Sequence, residues 1–131
     1  MRVLLADDHT IVRQAICLML QQEPDIEIVG EAANGREAVD LTRHLQPDVV
    51  LMDVTMPIMN GIEATRAIQT EIPEVCVIGL SMYQMDELAE AMQDAGAMDY
   101  VTKSAPPEEL LAVMRGWHAR MRVKRPPAAA A

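Results

Sequence analysis

Short apolar runs alternate with amphipathic stretches along these 131 residues, and that alternation leaves few folds open. Residues 3–6, 26–29, 49–52, 75–80 and 98–101 form apolar runs of four to six residues, too short for helices and suited to strands. Helical spacing follows each of them. Residues 11–22 place Ile11, Ala15, Ile16, Met19 and Leu20 on one stripe, and residues 35–46 do the same with Ala38, Leu41 and Leu45. Residues 61–71 align Ile62, Thr65 and Ile68, residues 84–95 align Leu88, Met92 and Ala95, and residues 107–121 align Leu110, Met114, Trp117 and Met121. Near-continuous apolar strands between amphipathic helices predict an α/β fold, a parallel sheet covered on both faces by right-handed crossovers. The breakers Pro24, Asn34-Gly35, Pro47, Pro73 and Gly96 fall at the expected element ends. There is no internal repeat, and the length suits one domain, placed at 1–122, with the Pro/Ala-rich residues 123–131 as a disordered tail or linker.

Charge narrows the function classes. The chain carries −9 overall, yet its basic residues Arg115, Arg120, Arg122, Lys124 and Arg125 sit in a final stretch without acids. Six basic and 20 acidic residues remain in 1–114, which is therefore at −14. Such a body is unsuited to nucleic-acid backbones, whose binding runs on lysine and arginine displacing counterions. With no phenylalanine, one tryptophan and two tyrosines there is no platform for stacking single-stranded bases. The tail is read as a solubilising linker in preference to an acid-binding extension of the last helix. No apolar run approaches the roughly 20 residues of a membrane span, and no signal segment opens the chain, so a cytoplasmic protein without membrane insertion is expected. Cys17 and Cys76, set among apolar neighbours, read as reduced core residues.

In an open parallel sheet ligands bind beyond the carboxyl ends of the strands. There the first run delivers Asp7-Asp8, the third Asp53 and the fourth Ser81, and the fifth is followed by Lys103. Converging carboxylates repel unless some are protonated or a hard cation lies among them, and an all-oxygen set favours Mg²⁺. Taken singly, Asp7-Asp8 fits a helix N-terminus equally well. His9 reads as the start of the first helix, and His44 and His118 as solvated helix residues.

At these residues the chain resembles the receiver domain of two-component response regulators, over about residues 2–117. The resemblance lies in Leu4-Leu5-Ala6-Asp7-Asp8-His9, in Asp48 to Gly61 around Met52-Asp53-Val54-Thr55-Met56-Pro57, in Leu80-Ser81-Met82, and in Ala95-Gly96-Ala97-Met98-Asp99-Tyr100-Val101-Thr102-Lys103. The wording is closest to the subfamily that precedes LuxR-type helix-turn-helix domains. The resemblance implies a flavodoxin-like, doubly wound, five-stranded sheet in order 2-1-3-4-5 with five helices. It implies Asp53 as phosphoacceptor for a sensor histidine kinase, a phosphotransfer domain or a small phosphodonor. Asp7, Asp8, Asp53 and the Thr55 backbone carbonyl would hold Mg²⁺, Lys103 and Ser81 would meet the phosphoryl oxygens, and Ser81 with Tyr100 would form the switch. Pro57 and Gly61 would shape the loop after Asp53, Gly61 as a positive-φ position, and Thr55 and Tyr83 would tune phosphoryl lifetime. Homodimerisation on phosphorylation is a further expectation.

The chain departs from the family where Ser104 follows the lysine instead of proline, and a cis Lys103–Ser104 bond is not expected. The 14 residues after Trp117 are too few for a helix-turn-helix. A hybrid-kinase receiver segment and a pseudo-receiver interaction module are alternative readings. An aspartyl-phosphate phosphatase is a further one, disfavoured because such enzymes use an acid where Thr55 stands.

Overall fold

The computed structural model describes residues 1–82 and 86–124. Strands and helices alternate strictly: β1 (Arg2–Ala6), α1 (Thr10–Gln21), β2 (Glu27–Ala32), α2 (Gly35–Leu45), β3 (Val49–Asp53), α3 (Gly61–Glu71), β4 (Cys76–Ser81), α4 (Asp86–Ala95), β5 (Asp99–Thr102) and α5 (Pro107–Lys124). The strands form one sheet in the order β2-β1-β3-β4-β5, every neighbouring pair parallel. The chain order thus reverses beside β1, between β1 and β3, and the carboxyl ends of these two strands open a crevice there.

Period-two alternation divides the strands between two cores. Leu4, Ala6, Val50, Met52 and Val77 face Ala38 and Val39 of α2, Ala64 and Ile68 of α3 and Met92 of α4. Val3, Leu5, Val49, Leu51, Ile78 and Leu80 face Cys17 and Leu20 of α1 and Leu110 and Met114 of α5. Because both faces are covered, β3 and β4 are buried at every residue, which is why they read as unbroken apolar runs. β2 pairs on one side only and is largely half-exposed, so its apolar run stops at Val29 although the strand continues through Gly30 and Glu31 to Ala32.

Asparagine caps start two of the helices. The Asn34 side chain accepts the Glu37 backbone N–H and donates to the Glu37 carboxylate, and Asn60 does the same with Glu63.

The structure corrects the sequence reading in three places. Ile11 and Ala15 do not share the buried stripe of α1: Cys17 and Leu20 are buried, while Ile11 is 82 % exposed. α5 continues through Lys124, past the domain boundary placed at residue 122. The basic stretch is not a free linker from its first residue, because Arg115 donates to Glu23 at 2.7 Å and Asp25 at 2.8 Å, tying α5 to the turn after α1. Arg120 stacks over Trp117 at 4.9 Å, the Trp117 indole N–H donates to Asp99 at 3.0 Å, and His118 is half-buried 3.8 Å from Asp48. Arg125 lies outside the described residues.

Burial raises both thiols, Cys17 to about 11 with help from Glu31 and Cys76 to about 12 with help from Asp99. A neutral thiol is a poor nucleophile. Native protein at pH 8 is therefore expected to react with a thiol reagent only on the timescale of opening, and both cysteines to react at once in denaturant. Rapid labelling of the native chain would contradict this burial.

Candidate functional site

Asp7 follows the last residue of β1 and is held there because its N–H donates to the Ala32 carbonyl at 3.0 Å, extending the β1–β2 pairing by one step. Its side chain is completely buried, and one oxygen accepts the His9 N–H at 2.9 Å. Arg13 reaches back from α1 to donate to the Asp7 carbonyl at 2.5 Å. Asp53 is the last residue of β3 and 4 % exposed. Lys103 comes from the far side of the sheet, positioned because its N–H donates to the Ser81 carbonyl at 2.7 Å as the chain leaves β5.

Between them these elements build a buried charge cluster. Lys103 Nζ lies 2.7 Å from Asp7 Oδ2 and 3.1 Å from Asp53 Oδ2, with its side chain 3 % exposed. These are close contacts between charges, yet Asp7 Oδ2, Asp53 Oδ2, Asp8 Oδ1 and Lys103 Nζ all lack an aligned hydrogen-bond partner. Buried polar atoms without directed partners are uncommon in native proteins and mark places where a further group belongs. Asp7, Asp8, His9 and Asp53 each bring a ligand atom to within 4.8 Å of the others. Three carboxylates with unsatisfied oxygens are a donor set for a hard divalent cation such as Mg²⁺. His9, read from sequence as a helix start, caps α1 but also sets its ring 3.2 Å from Asp8 and 3.3 Å from Asp7.

Asp53 is raised to about 6, first by burial, against the opposing pull of Lys103 and with Asp7 adding to the rise. One lysine does not offset desolvation here, so an ionised Asp53 needs the added positive charge of a cation as well as Lys103. The consequence for stability has a definite sign. The unfolded carboxyl titrates at 3.8 and the folded one at about 6, so the native state keeps its proton longer. Stability of the metal-free protein should fall as pH rises from about 4 to about 6, by up to about 3 kcal/mol from this group. Urea unfolding across that range, in chelator, is expected to show a negative slope relative to Asp53→Asn. Parallel curves would remove Asp53 as the source.

The loop after β3 differs from expectation. Gly61 is not its positive-φ residue; it begins α3, and a Cβ there would collide with the Asp53 carbonyl. Its N–H donates to the Val54 carbonyl at 2.8 Å, so the glycine is required for close approach of two backbones. The left-handed position is Ile58, with φ of 70° and 82 % exposure, in a tight turn closed by the Met59 N–H on the Pro57 carbonyl at 2.7 Å. A β-branched residue in this region is strained by about 1–3 kcal/mol. The Met59 carbonyl in turn accepts the Gly35 N–H at 2.9 Å. Thr55 and Pro57 are exposed beside the site.

Ser81 is buried at the end of β4. In the β4–β5 register Gly79 pairs with Tyr100 and Ser81 with Thr102, which puts Ser81 and Tyr100 on the same face of neighbouring strands. The Tyr100 ring crosses Gly79, where a Cβ would lie 2.9 Å away, and packs on the core that includes Met92. Tyr83 lies outside the described residues. The Lys103–Ser104 peptide is trans.

The family model for the response regulator receiver domain matches residues 3–115. The chain belongs to that family. Receiver domains of this kind serve two-component phosphorelays, generally use Mg²⁺ and interact with histidine kinases or phosphotransfer partners. The acidic pocket of Asp7, Asp8 and Asp53 is consistent with their phosphoacceptor site. The receiver is 41 % identical over 114 residues to the transcriptional regulatory protein LiaR of Bacillus subtilis, covering 87 % of this chain and 54 % of that protein. It superposes on a LuxR-family two-component response regulator from Aurantimonas with a TM-score of 0.86 at 39 % identity, covering 90 % of this chain and 84 % of the other. The response regulator domain of Thermotoga maritima CheB gives 0.84 at 32 % identity, covering 91 % and 96 %. The sheet adopts the order 2-1-3-4-5, and its solved neighbours have the same CheY-like, flavodoxin-like fold class. The chain spans about half the length of the regulators it resembles in sequence. Among the described residues, no helix is long and apolar enough to cross a membrane.

Proposed function

We propose that Asp53 is the phosphoacceptor of this receiver. A carboxylate oxygen of Asp53 attacks the phosphorus of a phosphohistidine on a sensor kinase or phosphotransfer domain, or of a small acyl phosphate. The bond from phosphorus to the donor breaks as the aspartyl phosphate forms, and the departing imidazole takes up a proton. Hydrolysis by water returns the carboxylate and releases inorganic phosphate. The observation that supports this most is the buried Lys103 ammonium between Asp7 and Asp53, whose facing oxygens have no directed partner.

Charge on a phosphoryl group in transfer spreads over its oxygens, so the protein contributes mainly position and positive charge. Lys103 supplies a fixed cation at the acceptor, and Ser81 a short hydroxyl at the end of the neighbouring strand. Asp7, Asp8, Asp53 and the Thr55 carbonyl would hold Mg²⁺, which when bound neutralises the acids and the incoming phosphoryl oxygens. Thr55 takes the position where a phosphatase would keep its acid, and this favours a phosphoacceptor that turns over only its own phosphoryl group. Ser81 and Tyr100 act as the switch, reshaping the surface of α4, β5 and α5, with phosphorylation biasing an existing equilibrium. Thr55 and Tyr83 tune the lifetime of the phosphoryl group, and Pro57 and Gly61 fix the loop beside it. The unit ends with α5, the residues beyond it serve as a linker, and the cytoplasm is its site of action.

The test is uptake of one phosphoryl group from acetyl phosphate, read by intact mass, with Mg²⁺ and with chelator. Uptake that requires Mg²⁺ is expected, and none under either condition would count against the assignment. Light scattering with beryllofluoride addresses association on phosphorylation, where an unchanged mass speaks against it.

A further inference from the structure

Arg13 is the one charged residue of α1, and its side chain turns back onto the body of the protein, with 17 % of it exposed. The guanidinium reaches two partners at once. Nη1 donates to the Asp7 backbone carbonyl at 2.5 Å, and Nε donates to the Glu31 carboxylate at 3.1 Å. Glu31 stands on β2 one residue before Ala32, whose carbonyl accepts the Asp7 N–H. Cys17, one turn further along α1, hydrogen-bonds the same carboxylate. The carbonyl that Arg13 holds belongs to the rigid peptide plane joining Asp7 to Asp8, so its direction sets where the Asp8 Cα lies and where the Asp8 side chain leaves the backbone. The Asp7 side chain is fixed separately. Its Oδ1 accepts the His9 N–H at 2.9 Å, which leaves Oδ2 to meet Lys103 at 2.7 Å. Asp8 Oδ1 is buried with no directed partner, and the plane it hangs from is what aims it.

We propose that Arg13 is a positioning residue for the metal site: by tying the Asp7–Asp8 peptide to α1 and, through Glu31, to β2, it aims the Asp8 carboxylate at the cation. This rests on the reading of Asp7 and Asp8 as Mg²⁺ ligands. Charge alone predicts the opposite effect. An arginine beside a cation site repels the cation, so its removal would tighten Mg²⁺ binding if Coulomb's law were all that mattered. The Glu31 carboxylate offsets that charge, which lets a guanidinium stand next to a site for Mg²⁺. Loss of a group that orients a metal ligand instead weakens binding, by about 10–100-fold. The sign of the change therefore separates positioning from electrostatics.

The test is titration of the full chain with MgCl₂ at constant ionic strength, followed by amide NMR, with urea unfolding in chelator beside it. Arg13→Met should raise the Mg²⁺ dissociation constant at least about tenfold. Arg66→Met, which removes the same charge from the exposed side of α3, should not raise it. Glu31→Gln, at a side chain 46 % exposed and so tolerant of change, should also weaken binding. Combined with Arg13→Met it should add little further loss, because the two residues act as one unit. An Arg13→Met protein that is less stable in chelator yet binds Mg²⁺ as the parent does has lost only a structural contact, and this overturns the proposal. Fully additive losses overturn it as well, as does parent-like affinity in Glu31→Gln should Arg13→Met fail to fold. A parent that binds no Mg²⁺ overturns the metal reading itself and this inference with it.

Discussion

Asp53→Asn should abolish Mg²⁺-dependent phosphoryl uptake from acetyl phosphate while the folded protein gains stability at neutral pH. Both halves follow from one environment. In the proposed reaction the carboxylate is the nucleophile, and an amide in its place has no anionic oxygen to attack phosphorus. The same carboxylate is buried beside Asp7 with only Lys103 to offset it, and burial raises it to about 6. Removing its charge therefore relieves the fold and ends the chemistry together, the trade expected where a site is built from groups the fold alone would not choose. Intact mass after acetyl phosphate, alongside urea unfolding in chelator at pH 7, measures the two effects on one sample. Residual labelling in Asp53→Asn would move the acceptor elsewhere, with Asp7 and Asp8 the first alternatives.

Lys103→Met should be the most destabilising single change at the site in metal-free protein. The ammonium is 2.7 Å from one buried carboxylate and 3.1 Å from another, and its removal leaves both buried acids without it. Breaking a buried ion pair in this way costs about 3–5 kcal/mol. A divalent cation supplies charge to the same oxygens. Mg²⁺ at about 100 times its dissociation constant should restore about 2.7 kcal/mol, an amount set by mass action. Urea midpoints with and without Mg²⁺ check both numbers. A variant as stable as the parent in chelator would show that the acids are neutralised by something other than Lys103.

Much of this was legible before any coordinates. Period-two apolar runs identify strands wherever both faces are buried, so β3 and β4 stand out, and acids that follow such runs must gather at one edge of a parallel sheet. What sequence periodicity misses is anything decided by a neighbour far along the chain. Ile11 and Ala15 fit the helical stripe of α1, but β2 is at the sheet edge and, among the described residues, nothing covers that side of the helix. Gly61 looked like a turn glycine, when its role is set by the Asp53 carbonyl that crosses it, and the strain falls instead on Ile58. Arg115 looked like the start of a basic tail because its partners, Glu23 and Asp25, lie about ninety positions earlier.

Trp117 is the single tryptophan of the chain, and its indole N–H ends on the Asp99 carboxylate. The other oxygen of that carboxylate accepts the backbone N–H of Tyr100. A displacement of β5 at Tyr100 is thereby delivered to one fluorophore, whose ring also carries the Arg120 guanidinium 4.9 Å from its centre. The receiver thus carries its own optical gauge: emission from Trp117 should follow the state of β5 in real time, without any label, and Asp99→Asn should uncouple the gauge while leaving Asp53 chemistry in place.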